Sequence, residues 1–407
     1  MATPVVGILT LYLNNRKALE ERPVYEKMIE AARRIGLRAF VFTPQDVDDD
    51  GGRIHALIYR PDTRKWSRRW VKFPHVIYDR CRIQKSARFQ QLLAFRKKYG
   101  HLTFLNRPMR NKWTVYRTLG KIAEFRSHLP QTRLYQSYQD VAEMLRRHPL
   151  LYLKPINGTG GRGIVRIDKL KDGRLLVQGR DHSRRIVPPK KVRKDRLAAS
   201  LRRWNMHATR YVVQQGLNIR LPNGRVHDYR MLVQKNGRGE WEVTGCAGRV
   251  GPPNSITSNL HGGGKAVSMN RMLRQWIGSE AKIAQVRQTA ERLGIGVARH
   301  LESSFGALCE LALDLAIDRG GSVWLLEVNP KPSREVFIRA GESDTYRKAI
   351  SRPMEYALWL YRQKRAARNR ERLQQSEHRS SLSAGSDASY ARGDDGVSPP
   401  EEQESRL

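Results

Sequence analysis

Two carboxylates and one amide lie in neighbouring apolar segments near residue 320. Asp314 lies within ELALDLAID, and Glu327 and Asn329 follow a Gly-Gly turn in WLLEVNP. The two-residue period of a strand puts Glu327 and Asn329 on one face, and the turn brings Asp314 across from them. Such oxygen ligands suit Mg²⁺, which commonly combines one or two carboxylates with substrate phosphates. The alternative is a strand edge with solvated acids, although acids in so apolar a segment need a counter-charge.

A glycine-rich segment, LYLKPINGTGGRGIVRI, begins with a predicted strand that ends at Lys154. The glycines of the following loop are Gly158, Gly160, Gly161 and Gly163. Glycines let backbone N–H groups approach phosphate oxygens, and the preceding lysine supplies a positive charge. The segment matches neither the GxGxxG fingerprint nor the GxxxxGKS/T loop, because the lysine comes first and a strand follows. A hairpin turn beside a solvated lysine is the alternative.

Two further predicted strands carry arginines that suit phosphate chemistry. Asp228 and Arg230 alternate onto one face of VHDYRMLVQKN, and Arg249 ends EWEVTGCAGRV. Guanidinium groups bind phosphate or carboxylate through two hydrogen bonds and stabilise charge that develops in phosphoryl transfer. We expect Asp228 to orient Arg230. Asn259 and His261 follow in a glycine-rich flexible loop; taken singly, such an arginine or histidine can equally be structural.

The elements that hold these residues begin with an α/β pattern. The N-terminus contains the strand patterns PVVGILTLYL, LRAFVFTP and PHVIYDR and the helix pattern VYEKMIEAARRIG. This order predicts a domain with parallel strands. A hairpin with Trp66 and Trp70 among arginines precedes the last of these strands. Shielding of a sheet edge explains these tryptophans better than stacking on bases does.

A second domain begins near Asn106, with a helix from Lys112 and a strand after Pro130. Several strands and a helix around residues 272–294 follow, and the last packed element is predicted to be the helix PMEYALWLYRQKRAARNR. Beyond it, the composition cannot bury enough apolar surface to become ordered. The predicted fold class is α/β (α+β), with domains at residues 1–105 and 106–370 and a disordered tail at 371–407.

The net charge of the chain is +37, from 76 Lys+Arg and 39 Asp+Glu. The predicted tail carries −4, which leaves +41 on the body. Residues 60–98 and 162–203 each carry a net +11. Such a surface attracts polyanions, including nucleic acid, through counterion release. The excess charge therefore restricts the partners without naming a function.

The cysteines and the N-terminus indicate an intracellular protein. Cys81, Cys246 and Cys309 are odd in number and lack metal-ligand spacing, so neither a disulfide framework nor a zinc module is supported. The N-terminal apolar run is too short for a membrane span, and no basic segment precedes it as in a signal peptide. We expect a cytoplasmic protein.

Taken together, residues 106–340 resemble the ATP-grasp superfamily, because several of its motifs occur in the expected order. The resemblance implies an ATP-grasp fold in which two α+β lobes clasp ATP, preceded by an N-terminal α/β domain. It implies that Lys112 and Lys154 contact the ATP phosphates together with the glycine loop. It also implies that Mg²⁺, or Mn²⁺, is bound by Asp314, Glu327 and Asn329.

The hinge between the two lobes is similar to YVVQQGL, near residues 211–218. Many relatives have glutamates there for the adenine and the ribose, whereas this chain has Gln214, Gln215 and Asn218. Gln215 can still contact the adenine edge, and Asn218 can reach the ribose. This difference in the hinge affects which nucleotide is expected to bind more than it affects the expected phosphate binding.

Two further motifs narrow the resemblance. The strand DYRMLV and the loop TSNLHGGG resemble the branch of ribosomal-protein glutamate ligase and glutathione synthetase. With VQKN, W-x-V-T-G, RVG and the N-terminal GILT, they resemble more closely the spore-coat-associated YheC/YheD family of endospore-forming bacteria.

The implied activity is ATP- and Mg²⁺-dependent ligation of a carboxylate to an amine through an acyl phosphate. The implied catalytic residues are Arg230, Arg249, Asn259 and His261. Tyr78, Asp79 and Arg80 are candidates for lining the acceptor site. The expected partners are ATP, a carboxylate and an amine, an anionic peptide or polymer, and spore coat proteins.

Two alternatives remain open. The chain can be a non-catalytic, nucleotide-binding or structural component of the spore coat, which the unusual hinge favours and the filled phosphate and metal positions oppose. It can also be a basic protein that binds nucleic acid or another polyanion. No known sequence-reading module accompanies the basic stretches, so such nucleic-acid binding would be non-specific.

Overall fold

The computed structural model describes residues 3–82, 86–158, 160–206, 209–260 and 263–387, with side chains as far as residue 376. Residues up to Trp359 form one unit, and those from Leu360 form a second. Within the described ranges, the first unit contains three β-sheets and their helices. No described helix is both long and apolar enough to cross a bilayer. The predicted domain boundaries stay a prediction.

The first sheet has a parallel centre and an antiparallel side. Its strands are β1 (Val5–Leu9), β2 (Arg38–Phe42), β3 (Val47–Asp48), β4 (Arg53–Arg60), β5 (Lys65–Lys72) and β6 (Val76–Asp79). Its helices are α1 (Arg22–Arg34) and α2 (Ala87–Lys98). β1 pairs in parallel with β2 and β6, whereas β4 pairs antiparallel with β2, β3 and β5. The predicted α/β order is confirmed, with α1 as the crossover between β1 and β2.

Trp66 and Trp70 lie on β5, which pairs with β4 alone among the described strands. The Trp70 ring stacks on His55 with 4.8 Å between centroids, and the Arg53 guanidinium lies 4.4 Å from the Trp70 centroid. Trp66 Nε1 donates a hydrogen bond of 2.7 Å to Glu26. Side chains of the same molecule therefore contact both tryptophans, as the shielding interpretation expects.

The second sheet is antiparallel throughout, in the order β11-β10-β9-β8-β12-β7. Its strands are β7 (Thr132–Leu134), β8 (Leu150–Pro155), β9 (Val165–Lys169), β10 (Leu175–Arg180), β11 (Ile186–Val192) and β12 (Tyr211–Gln215). The helices of this region are α3 (Lys112–Gly120), α4 (Ala123–Arg126), α5 (Tyr138–Arg147) and α6 (Leu197–Leu201). Leu151 and Leu153 of β8 pack in one core with Met144 of α5. Tyr152 and Lys154 alternate with them onto the opposite face.

The third sheet is also antiparallel, in the order β15-β14-β13-β16-β17. Its strands are β13 (His227–Lys235), β14 (Trp241–Val250), β15 (Lys265–Ser268), β16 (Glu310–Ile317) and β17 (Val323–Asn329). Its helices are α7 (Met269–Trp276), α8 (Glu280–Phe305), α9 (Glu335–Arg339) and α10 (Ser343–Asp387). Met231 and Leu313 pack in the largest core with Leu301 of α8. The face opposite α8 is therefore free to carry polar residues.

Helix α10 is longer than predicted at both ends. It begins at Ser343, so Pro353 lies inside it rather than at its start. A proline cannot donate to the carbonyl four residues earlier, and that carbonyl, Ala349 O, instead accepts from Gln234 Nε2 (3.0 Å) and Arg334 Nε (2.8 Å). The helix continues beyond residue 370 because Glu, Arg, Leu and Gln are good helix formers. Residues 388–407 of the predicted tail lie outside the described residues.

A largely buried group of charged and polar side chains, the Glu310 cluster, joins the first sheet to the third. Its members are Glu21, Tyr78, Arg80, Glu310 and Arg334. Glu310 accepts hydrogen bonds from Arg80 (2.7 Å), Arg334 (2.5 Å) and Tyr78, and Arg80 also donates to Glu21 (2.7 Å). Burial by itself would raise the pKa of Glu310, but Arg334 and Arg80 outweigh it and hold the pKa below its ordinary value.

Tyr78, Asp79 and Arg80 are no more than 2% exposed. Tyr78 and Arg80 belong to the Glu310 cluster, and the Asp79 carboxylate binds Arg96. The prediction that these three residues line an acceptor site is therefore wrong, because a substrate cannot reach side chains so fully enclosed.

Replacing Glu310 with Gln should destabilise the protein strongly, because Arg80 and Arg334 would lose a shared buried counter-charge. We expect a loss of about 3–5 kcal/mol in the free energy of unfolding, measured by denaturant titration. The control is Glu335→Gln, which removes an exposed ion pair with Arg339 and should cost less than about 1 kcal/mol. Equal effects of the two changes would contradict the importance of the cluster.

Candidate active site

Four charged side chains form a chain on the polar face of the third sheet. Asp228 lies opposite Arg249, and Arg230 lies opposite Asp314. Arg249 donates to Asp228 at 2.7 and 2.6 Å, and Arg230 donates to Asp314 at 2.9 Å twice. Arg249 also lies 3.1 Å from Asp314, which links the two pairs. The prediction that Asp228 orients Arg230 is wrong, because residues directly opposite are closer than same-face neighbours on one strand.

The arginines fix the ionisation of the buried carboxylate. Burial alone would raise the pKa of Asp314, but Arg230 and Arg249 outweigh it and lower the pKa to about 2. Burial would lower the pKa of Arg249, whereas Asp228 and Asp314 raise it above its ordinary value. Asp314 and Arg249 therefore remain charged at any physiological pH.

A register shift brings the second carboxylate to the same face. Asp314 lies opposite Glu327, but Leu315 lies opposite Leu325, so β17 has one extra residue between these pairs. Strict alternation would put Leu325 on the face of Glu327. The extra residue instead turns Leu325 into the apolar core and leaves Glu327 and Asn329 on the polar face.

The two lysines approach this face from other elements. Lys112 is the first residue of α3, whose N-terminus is capped by Asn111 accepting from Thr114 N at 3.0 Å. Its Nζ lies 3.4 Å from Glu327 Oε1 and donates to Gly158 O at 2.6 Å. Lys112 therefore connects Glu327 of the third sheet with the glycine loop.

The side chain of Lys154 is partly buried. Burial lowers the pKa of Lys154 to about 8; Glu327 opposes this effect, and Lys112 adds to it. Its Nζ donates to Gln214 Oε1 at 2.6 Å. A lysine in such surroundings gains its full charge when an anion comes close.

The glycine loop requires its glycines. Gly160, Gly161 and Gly163 have φ of 63°, 77° and 67°, in the left-handed region that side chains disfavour. A β-carbon at Gly161 would lie 2.8 Å from the side-chain nitrogen of Asn259. The loop that carries Asn259 therefore lies against the glycine loop. His261 and Gly262 lie outside the described residues.

The hinge glutamines make specific contacts. Gln214 donates to Thr132 Oγ1 at 3.1 Å in addition to accepting from Lys154. Gln215 Oε1 accepts from the backbone N–H of Gln131 at 3.0 Å, and Asn218 is exposed. Gln214 is thus directed towards Lys154. The contacts of Gln214, Gln215 and Asn218 with a nucleotide stay a prediction.

This combination of lysines, glycine loop and paired carboxylates corresponds to a known family. A model of the YheC/D-like ATP-grasp family matches residues 101–360. The chain belongs to this family. The N-terminal α/β sheet, the two antiparallel sheets and the loop between them are accordingly an ATP-grasp fold with its preceding domain.

The chain is also similar to two named relatives and to several solved structures. The chain is 28% identical over 339 residues to "Endospore coat-associated protein YheC" of Bacillus subtilis (strain 168), covering 82% of this chain and 91% of the relative. It is 26% identical to YheD of that organism, covering 88% and 79%. Among solved structures, D-cycloserine synthetase DcsG is similar at 13% identity and TM-score 0.49, covering 88% of this chain and 99% of that chain. ATP-grasp ligase PsnB with minimal precursor, Mg and ADP has 14% identity and TM-score 0.45, covering 86% and 98%.

The ATP-grasp carboxylates fit Mg²⁺ only as part of a site shared with phosphate. Among the described residues, no group of three His, Cys, Asp or Glu could hold a metal by itself. Asn329 adds an amide whose Nδ2 is buried without a hydrogen-bond partner in the described structure. Rotation of this amide exchanges its nitrogen and oxygen, so Asn329 can join Asp314 and Glu327 as an oxygen ligand. Such a set suits an ion that also binds nucleotide phosphates.

Sequence reasoning did not single out Glu310, Lys331 or Arg334. Glu310 opens the strand that carries Asp314, and its spacing of four residues puts the two acids on one face. This spacing could have indicated from the sequence that Glu310 lies on the same face as Asp314. The partners of Glu310 come from distant parts of the chain, and no local pattern indicates them.

The affinity for Mg·ATP should decrease as the pH rises above 8, because free Lys154 then loses its proton and binding must restore it. The decrease should approach about tenfold per pH unit in calorimetric titrations, with proton uptake on binding. Below pH 8, Lys154 is protonated in both states and the affinity should be flat. Lys154→Arg should stay flat to pH 9.5, while Lys112→Arg should keep the wild-type profile. A decline that persists in Lys154→Arg would refute this assignment.

Proposed function

We propose that the protein is an ATP- and Mg²⁺-dependent ligase that joins a carboxylate to an amine through an acyl phosphate. The observation that supports this most is the clustering of four cations around two adjacent carboxylates on one polar sheet face. The cations are Lys112, Lys154, Arg230 and Arg249, and the carboxylates are Asp314 and Glu327. Such a surface can hold a triphosphate and stabilise charge on a phosphoryl group during transfer.

Each group of site residues would have a role that follows from its position. Lys112 and Lys154 would neutralise the phosphates, and the glycine loop would cover them. Asp314, Glu327 and Asn329 would hold Mg²⁺, which when bound would supply positive charge against the phosphates. Arg230, whose side chain is 18% exposed, contacts Asp314 and would turn part of its hydrogen bonding to the acyl phosphate. Arg249 is as enclosed as Arg80, so it would hold Asp314 in place rather than contact the acyl phosphate as predicted.

The reaction needs no side-chain nucleophile. A substrate carboxylate oxygen attacks the γ-phosphorus, the bond to the ADP oxygen breaks, and an acyl phosphate forms. The amine nitrogen then attacks the acyl carbon, inorganic phosphate leaves, and the amine loses a proton. Asn259, whose side chain lies against Gly161, is placed to keep the covering loops together while water is excluded.

Spore coat association is part of the proposal. The relatives YheC and YheD are both named endospore coat-associated proteins. The net charge of +37 favours an anionic acceptor, such as an acidic peptide or polymer, or an anionic coat neighbour. A purely structural coat protein is the alternative.

Glu327→Gln should reduce ADP release by about 100-fold or more, since it removes a charge that holds the metal against the phosphates. The matched control is Glu302→Gln, because Glu302 is also 25% exposed and ion-paired, with Lys235. The assay supplies Mg·ATP with pools of amino acids and small acids, and product masses are recorded.

One new mass together with ADP would establish ligation and identify the substrates. Rapid ATP hydrolysis that no added acid or amine stimulates would contradict a ligase. Calorimetric binding of Mg·ATP without turnover in any pool would favour the structural coat protein. Glu327→Gln with wild-type turnover would remove Glu327 from the mechanism.

A further inference from the structure

The segment that follows the metal-side strand is tied to the N-terminal sheet. Residues 330–334 connect Asn329, at the end of β17, to helix α9. Lys331 Nζ donates to the backbone oxygen of Asp79 and lies 3.3 Å from its Oδ1. The Lys331 side chain is only 11% exposed, and the Asp79 side chain is fully buried. A lysine enclosed in this way must be compensated by its partner, because leaving the charge unpaired is costly.

Asp79 is itself rigidly held. Its Oδ2 accepts from Arg96 Nε at 2.8 Å, and its Oδ1 accepts from Cys81 N at 2.9 Å. Its backbone oxygen also accepts from Asn106 Nδ2 at 3.0 Å. Asp79 ends β6, so Lys331 is anchored to the end of a sheet strand rather than to a loose surface chain.

A second contact holds the same segment. Arg80 NH2 donates to Pro332 O at 3.1 Å, and Arg80 is fixed in the Glu310 cluster. Lys331 lies between Pro330 and Pro332, whose rings restrict the backbone on both sides. The segment therefore has little freedom to shift while these contacts persist.

The neighbouring site residue depends on this rigidity. Asn329 Nδ2 is buried and has no hydrogen-bond partner in the described structure. No hydrogen bond in the described structure therefore fixes that nitrogen, so the placement of the amide depends on the backbone that carries Asn329. Glu327, two residues earlier, is paired instead with Lys112, the first residue of helix α3.

We propose that Lys331 and Asp79 form a positioning pair for the metal site, through which the N-terminal sheet sets the end of β17. This inference rests on the proposed function, since it requires Asn329 and Glu327 to hold a divalent cation with the nucleotide. Lys331 acts through Asn329 and contacts neither metal nor substrate. The N-terminal sheet then contributes to metal binding without lining the site.

The test is Mn²⁺ binding by the full chain, measured by electron paramagnetic resonance with a non-hydrolysable ATP analogue. Lys331→Met should raise the Mn²⁺ dissociation constant by about tenfold, as expected for loss of a residue that orients a ligand. Lys331→Arg should restore most of the affinity. The control is Lys235→Met, because Lys235 is also 11% exposed and ion-paired, at the far end of β13 in the same sheet.

The outcomes separate this inference from the proposed function. Both methionine variants should lower the midpoint of thermal unfolding, but only Lys331→Met should weaken Mn²⁺ binding. If Lys331→Met is less stable yet binds Mn²⁺ like the wild type, the pair is merely structural and the inference is overturned. Should that variant not fold, Lys331→Gln, which keeps a donor for Asp79 O, is judged by the same criterion. Wild-type protein that binds no Mn²⁺ with the analogue would overturn the proposed function and this inference with it.

Discussion

Strand β16 carries two buried carboxylates on one face of an otherwise apolar strand. Cations from several other elements compensate the charge of these carboxylates. Glu310 and Asp314 are 0% and 7% exposed. A carboxylate in such surroundings is tolerated only with cations and hydrogen bonds around it. Glu310 is met by arginines from the first sheet and from the segment before α9, and Asp314 is met by arginines from β13 and β14. These ion pairs link the first sheet to the third and join strands β13, β14 and β16 within the third sheet.

The two carboxylates differ in what their partners can do. The arginine side chains at Glu310 are 0% and 1% exposed, so that cluster is closed and serves to join elements. Arg230 at Asp314 is 18% exposed, and Glu327, which lies opposite Asp314, and its partner Lys112 are 25% and 24% exposed. Only this second group can exchange internal ion pairs for contacts with an incoming polyanion. Strand β16 thus carries Glu310 in a closed ion-pair cluster and Asp314 in a partly exposed one.

The sequence indicated which residues belong to the site, but it did not indicate all of their contacts. Alternation and a tight turn predicted that Asp314 and Glu327 converge, but the extra residue in β17 is what brings Glu327 opposite Asp314. The strands of the glycine segment followed from local patterns. The partner of Asp228 did not, because strand register depends on pairing across the β13–β14 hairpin, where Arg249 rather than Arg230 is the nearer cation. The extra residue in β17 and the long reach of Arg80 to Glu310 also depend on tertiary packing. Helix α10 continues through Pro353 because Gln234 and Arg334, which are distant in the sequence, donate hydrogen bonds to the carbonyl of Ala349. No local pattern in the sequence indicates these donors.

The central claim is that Asp314, Glu327 and Asn329 hold a divalent cation against nucleotide phosphates. Anomalous diffraction from crystals grown with Mn²⁺ and a non-hydrolysable ATP analogue tests it most directly. We expect a single strong Mn²⁺ peak at roughly 2 Å from oxygens of these three residues and of the phosphates, as hard cations of this size require. A nucleotide bound with the peak elsewhere, or with Asp314 still fully paired to both arginines and no metal beside it, would contradict the claim.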